Sequence, residues 1–169
     1  YSAMTANTTG ANNCAFGLNA LSVNTTGTEN HSSGYATLSN NTTASYNTAV
    51  GARALTANTT GANNTATGYR ALLANTTANS NTAVGMYALT SNTTGANNNA
   101  LGYQGLNSNT TGGYNVAIGN AALYANTTAS NNTAVGYATL LANTTGADLV
   151  AVGMESLKET TTGASNTAL

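Results

Sequence analysis

Histidine and cysteine, the side chains that most often bind metals or move protons near neutral pH, occur once each, as His31 and Cys14. Ligation and acid–base catalysis both need several convergent groups, and only Glu29 stands close to His31. One histidine makes no such site. No catalytic, cofactor-binding or metal-binding residue is therefore expected, and the chain does not read as an enzyme. The lone cysteine rules out an internal disulfide framework and is expected to pack as a small buried residue. No Gly-Lys-Ser or Gly-Lys-Thr occurs, so the glycine-rich turns are not phosphate loops. Two arginines, Arg53 and Arg70, lie seventeen residues apart, a spacing that invites an anionic ligand if both fall on one face. Asn-Thr-Thr is an N-glycosylation acceptor pattern, with Asn7, Asn24, Asn41, Asn58, Asn75, Asn92, Asn109, Asn126 and Asn143 as candidate acceptors. In a secreted eukaryotic or archaeal protein these would carry a ladder of glycans; in a bacterial or phage protein the triplet would be only a turn.

The elements that place these residues follow from a period. Glycine recurs every seventeen residues at Gly17, Gly34, Gly51, Gly68, Gly85, Gly102, Gly119, Gly136 and Gly153, and leucine follows each by four, from Leu21 to Leu157. No insertion breaks the series. A fixed repeat length with some variable columns is what a solenoid requires, because each coil must return the backbone to the same place one layer up. The fold expected is all-β, a parallel β-solenoid of ten coils over residues 1–169, a single repeat array read as a segment of a longer protein. At strand spacing ten coils make a rod of roughly 48 Å.

Before each glycine runs a short alternating segment such as Thr48-Ala49-Val50 or Val116-Ala117-Ile118, a strand pattern. Its larger members, Val50, Val84, Leu101, Ile118, Val135 and Val152, are expected inside with the residues two before them, and the alanine between is expected on the opposite face. By that count His31 occupies an inward column in a degenerate coil. The glycine takes the corner, where a positive φ costs it nothing. A second short strand is expected over Tyr-x-Ala-Leu, with Leu55, Leu89, Leu123 and Leu140 among its inward anchors. Asn-Thr-Thr turns the chain onto a third side. The column Asn13, Asn47, Asn64, Asn81, Asn98, Asn115 and Asn132 is expected to stack as an amide ladder, each side chain donating to the next. Stacked like charges would repel at every step, so the low charge content suits such a rod.

Only 4 % of the residues are charged, net charge is −1, and proline and tryptophan are absent. No cluster of cations is available to gather nucleic acid, and no apolar run approaches the roughly 20 residues that cross a bilayer, so neither nucleic-acid binding nor membrane insertion is expected. Tyr35, Tyr69, Tyr103 and Tyr137, in the column after the glycine, form a broken row with Met86 and Met154. Such a row suits packing against a sister chain, or binding sugars. The threonine pairs of all ten coils would alternatively order water on a flat face, as ice-binding solenoids do.

Asn115-Val116-Ala117-Ile118-Gly119 and Val150-Ala151-Val152-Gly153 resemble the Asn-x-Val-Ala-Ile-Gly motif of trimeric autotransporter adhesin heads. The longer Asn-Thr-Ala-Val-Gly-Tyr-x-Ala-Leu string, at Asn81 to Leu89 and Asn132 to Leu140, is similar to repeats of phage tail-fibre proteins. The resemblance covers the whole chain. It implies a left-handed roll, three chains side by side in an extracellular, cell-surface or virion fibre, and a role in attachment to a cell-surface or glycan receptor. The coil here is longer than those of the adhesin heads, the extra length lying in Asn-Thr-Thr-Gly. The expected partner is the chain itself, as a homotrimer or as a filament. The other reading is a monomeric ice- or surface-binding solenoid.

Overall fold

The structure, a computed structural model, describes residues 2–169. It is a parallel β-solenoid with one seventeen-residue coil per repeat. The ten strands form one sheet in sequence order: β1 (Cys14–Phe16), β2 (His31–Ser33), β3 (Thr48–Val50), β4 (Thr65–Thr67), β5 (Thr82–Val84), β6 (Asn99–Leu101), β7 (Val116–Ile118), β8 (Thr133–Val135), β9 (Val150–Val152) and β10 (Thr167–Ala168). Each residue pairs with the one seventeen positions on, as in Ala83↔Ala100 and Val84↔Leu101. Backbone hydrogen bonds thus run between coils. That lets a chain with little to bury satisfy its amides.

Within each strand the burial is the reverse of the expectation. Ala49, Ala66, Ala83, Ala100, Ala117, Ala134 and Ala151 are fully buried, while Val84, Leu101, Ile118 and Val152 are 38 to 41 % exposed and Val50 and Val135 are half-buried. Strand parity explains the reversal. Asn47, Asn64, Asn81, Asn98, Asn115 and Asn132 immediately precede the strands and are buried, so the alanine two positions on also points inward and its neighbours point out. The interior opposite the sheet is already filled by the leucine column, which joins these alanines in a single apolar cluster. Only a methyl group fits between.

The leucine column is the core. Leu21, Leu38, Leu55, Leu72, Leu89, Leu106, Leu123 and Leu140 are fully buried, most of them beside a buried alanine such as Ala54 or Ala88. Their segment is not a strand, however. Leu55 and Arg53 both have left-handed backbones, with φ of 50° and 62°, and the same alternation recurs at Leu72 with Arg70 and at Leu89 with Tyr87. This folds the segment into consecutive turns whose N–H groups point alternately along the rod. Arg53 N donates to Tyr35 O of the preceding coil at 2.8 Å, and Leu55 N to Ala71 O of the following one at 3.0 Å. A left-handed leucine costs about 1–2 kcal/mol. Burying its side chain returns about 1.5–3 kcal/mol, and the inter-coil bonds add to that, so the arrangement holds.

Candidate functional site

No cavity is found among the described residues, so side chains lie either on the outer surface of the rod or in its packed interior. The most regular feature is interior to that surface. Asn24, Asn41, Asn58, Asn75, Asn92, Asn109, Asn126 and Asn143, eight of the nine candidate glycan acceptors, are fully buried. Each donates an Nδ2 hydrogen to the Oδ1 of the asparagine one coil back, for example Asn58 to Asn41 at 3.0 Å and Asn109 to Asn92 at 2.8 Å, and another to the carbonyl three residues on. Asn7, at the end of the series, is half-buried and receives the bond from Asn24. The amides of these acceptors are spent on the ladder. A glycan on any of the eight would have to sit where the preceding coil lies, so the folded rod offers no acceptor there.

The other asparagine column bonds differently. Asn47 Oδ1 accepts from the backbone N–H of Asn64 at 3.0 Å, and its Nδ2 donates to Gly61 O at 2.9 Å. The link between coils there is mainly side chain to backbone, with direct amide contacts at a few steps such as Asn115 to Asn98. Between the two ladders runs a threonine file. From Thr8 to Thr144 the first threonine of each pair donates its hydroxyl to the carbonyl of its counterpart one coil on, as Thr93 does to Thr110 O at 3.0 Å. The second, Thr26 through Thr162, is exposed in every coil.

His31 lies outward on β2 and is exposed, not in an inward column; the strand parity that reverses the valines reverses it too. Cys14 is a free thiol, half-buried in the outward column of β1. Among the described residues no group of histidines, cysteines and carboxylates is placed to hold a metal, and no helix is long and apolar enough to cross a membrane. Lys158 is committed locally. Its Nζ donates to Glu155 Oε1 at 2.9 Å, and that hydrogen bond, with the carboxylate charge, raises the ammonium's pKa above its ordinary value.

Two outer faces remain available. The strand face carries the outward file Phe16, Ser33, Val50, Thr67, Val84, Leu101, Ile118, Val135 and Val152, uncharged along its length and apolar without a break from Val84 to Val152. Beside it, past the corner glycines, lies the row of Tyr35, Tyr69, Met86, Tyr103, Tyr137 and Met154, all exposed. The first file was hidden to sequence reasoning because large apolar residues are ordinarily placed inside. The signal that reveals it is the parity of Asn-x-Ala: two small or amide columns at strand spacing mark the inward face. Compared with family models, curated proteins and solved structures, the chain matches none of them.

Proposed function

We propose that this chain is a structural, non-catalytic segment of an extracellular fibre, such as a phage tail fibre or an adhesin shaft or head, that associates laterally with copies of itself and serves in attachment. The observation that carries this reading is the outward file of Val84, Leu101, Ile118 and Val152 on the strand face. Contiguous exposed apolar surface is a mark of an interaction site. Identical copies of a rod repeat the same file at the same spacing, so a file on one rod meets its match on another along the whole length. The core of each rod is thin, one leucine and two small residues per coil, and burying the outer file adds what the interior lacks. Three chains around this face make the fibre. The resemblance to adhesin heads and tail-fibre repeats points the same way, as does an architecture with no cavity among the described residues.

Replacing Leu101 and Ile118 together by serine removes the centre of the file and touches no buried side chain. The expected result is a later elution volume on size exclusion with an unchanged circular dichroism spectrum. Unchanged elution would remove the strand face from the interface.

The second reading, a monomeric ice- or surface-binding solenoid, draws support from the paired threonine files, one with its hydroxyls fixed by the next coil. Thermal hysteresis separates the two. The fibre reading expects none from the purified chain.

A further inference from the structure

One stretch of the rod carries side chains that the other coils do not repeat. Over five consecutive coils, the two columns past the corner glycine hold Tyr35, Arg53, Tyr69, Arg70, Tyr87 and Tyr103. The guanidinium carbon of Arg53 lies 6.0 Å from the ring centre of Tyr35 in the coil before it, and that of Arg70 lies 5.1 Å from the ring of Tyr69. Tyr69 meets Tyr87 edge-on at 5.5 Å, and Tyr87 meets Tyr103 at 6.4 Å. Rings and guanidiniums therefore form one strip along the rod axis. Farther along, the same columns hold Asn120 with Ala121 and Tyr137 with Ala138, and the strip ends.

Its charge is unbalanced. The two arginines occupy adjacent coils, and their guanidiniums lie on rings two coils apart, Tyr35 and Tyr69. None of the four acidic residues, Glu29, Asp148, Glu155 and Glu159, falls within the strip, and the one ion pair among the described residues joins Lys158 to Glu155. The Nε of Arg70 is shielded from solvent with no hydrogen-bond partner. Each guanidinium is braced on a tyrosine, which orients it at little entropic cost.

We infer that this strip binds an acidic polysaccharide, a strand with one carboxylate on each sugar lying along the rod axis. The tyrosines offer flat apolar faces to sugar rings, and Arg53 and Arg70 offer forks that pair with carboxylates. Arg53 leans back onto Tyr35 of the preceding coil and Arg70 lies on Tyr69 of its own, so the two forks stand roughly 10 Å apart along the axis, two coils, and take carboxylates from non-adjacent sugars of one strand. A single-stranded nucleic acid also stacks on aromatic side chains, but its binders track the backbone with a positively charged groove, and no cavity is found among the described residues. The inference rests on the attachment reading and names its ligand.

The test is binding of the 169-residue chain, at low ionic strength, to immobilised polygalacturonate, with dextran and single-stranded DNA as comparison surfaces. Wild type should bind polygalacturonate, release it as salt rises, and ignore dextran. Arg53→Gln with Arg70→Gln should weaken binding by about tenfold or more, Tyr69→Leu with Tyr103→Leu by several-fold, and Lys158→Gln should leave it unchanged, all with native circular dichroism. No binding by wild type, equal binding by the double arginine variant, or tighter binding to DNA would overturn the assignment. The fibre reading fails separately: a monomeric chain that binds polygalacturonate refutes the fibre and keeps the strip, and a trimer that ignores polygalacturonate does the reverse.

Discussion

Replacing Gly102 by alanine is expected to melt the middle of the rod. A Cβ at this position would lie 2.5 Å from the carbonyl oxygen of Gly119 and 2.7 Å from its carbonyl carbon, and the backbone there has a φ of +131°. The conformation alone costs an L residue about 1–3 kcal/mol. The clash is worse, because its target is backbone, so two coils must move apart and stretch the bonds from Gly119 N to Leu101 O at 2.8 Å and from Ala121 N to Tyr103 O at 2.9 Å. Several kcal/mol is a large part of the roughly 5–15 kcal/mol that holds a domain together. Two neighbouring changes serve as controls. At Gly153 the φ is +119° but nothing lies within 4 Å of a new Cβ, so only the conformational cost applies. At Gly105 the nearest atom is 3.6 Å away and no positive φ is involved, and Ala54, Ala71, Ala88 and Ala122 fill that column elsewhere; alanine there should stabilise by about 0.5–1 kcal/mol. Thermal melting of the three variants should rank them Gly102→Ala far below Gly153→Ala, with Gly105→Ala at or above wild type. A Gly102→Ala protein that melts with wild type would mean the coils do not stack glycine on glycine.

Asn92→Asp is nearly isosteric and is expected to be as damaging. Asn92 is fully buried. Its Nδ2 donates to Asn75 Oδ1 at 3.0 Å and to Gly95 O at 2.9 Å, while its Oδ1 accepts from Asn109 Nδ2 at 2.8 Å. The substitution puts an oxygen where the donor was, facing two acceptor oxygens, and leaves a buried carboxylate without a cation. That costs several kcal/mol. Burial and the facing carbonyls favour the protonated form, so the introduced carboxyl has a higher pKa folded than unfolded. The sign follows: the variant is most stable below the ordinary carboxylate range and loses stability as pH rises through its folded pKa. Melting at pH 4 and pH 7 should show the variant closer to wild type at the lower pH. Equal deficits at both would mean that the amide ladder is not the source of the loss.

Much of this architecture was legible in the residues. The seventeen-residue return of Gly17 to Gly153 and the leucine four positions on settle coil length, stacking and the inward side of Leu55 and Leu89, because only a solenoid keeps such a period without slippage. The face of each strand was legible too, but in an unexpected column. Ala49 and Ala66 are inside because Asn47 and Asn64 are, and an argument from apolar size alone turns Val50 and Val84 the wrong way. The left-handed leucines left no local mark. Leu55 at a φ of 50° has neither glycine nor asparagine to announce it, since the conformation is imposed by inter-coil bonding and not by propensity. Asn58 and its counterparts fit two readings, an acceptor pattern within one coil and a ladder across coils. Position in a stack decides between them, and the local triplet cannot carry that. The arginine and tyrosine strip lies between these cases: the period aligns Arg53 with Arg70, but only side-chain placement sets them on Tyr35 and Tyr69.

Lateral association through the strand face is tested most directly by the mass of the chain in solution. Sedimentation equilibrium over a wide concentration range should return three chains of 16.7 kDa each. A single-chain mass at every concentration, with Val84, Leu101 and Ile118 left in water, would contradict the fibre.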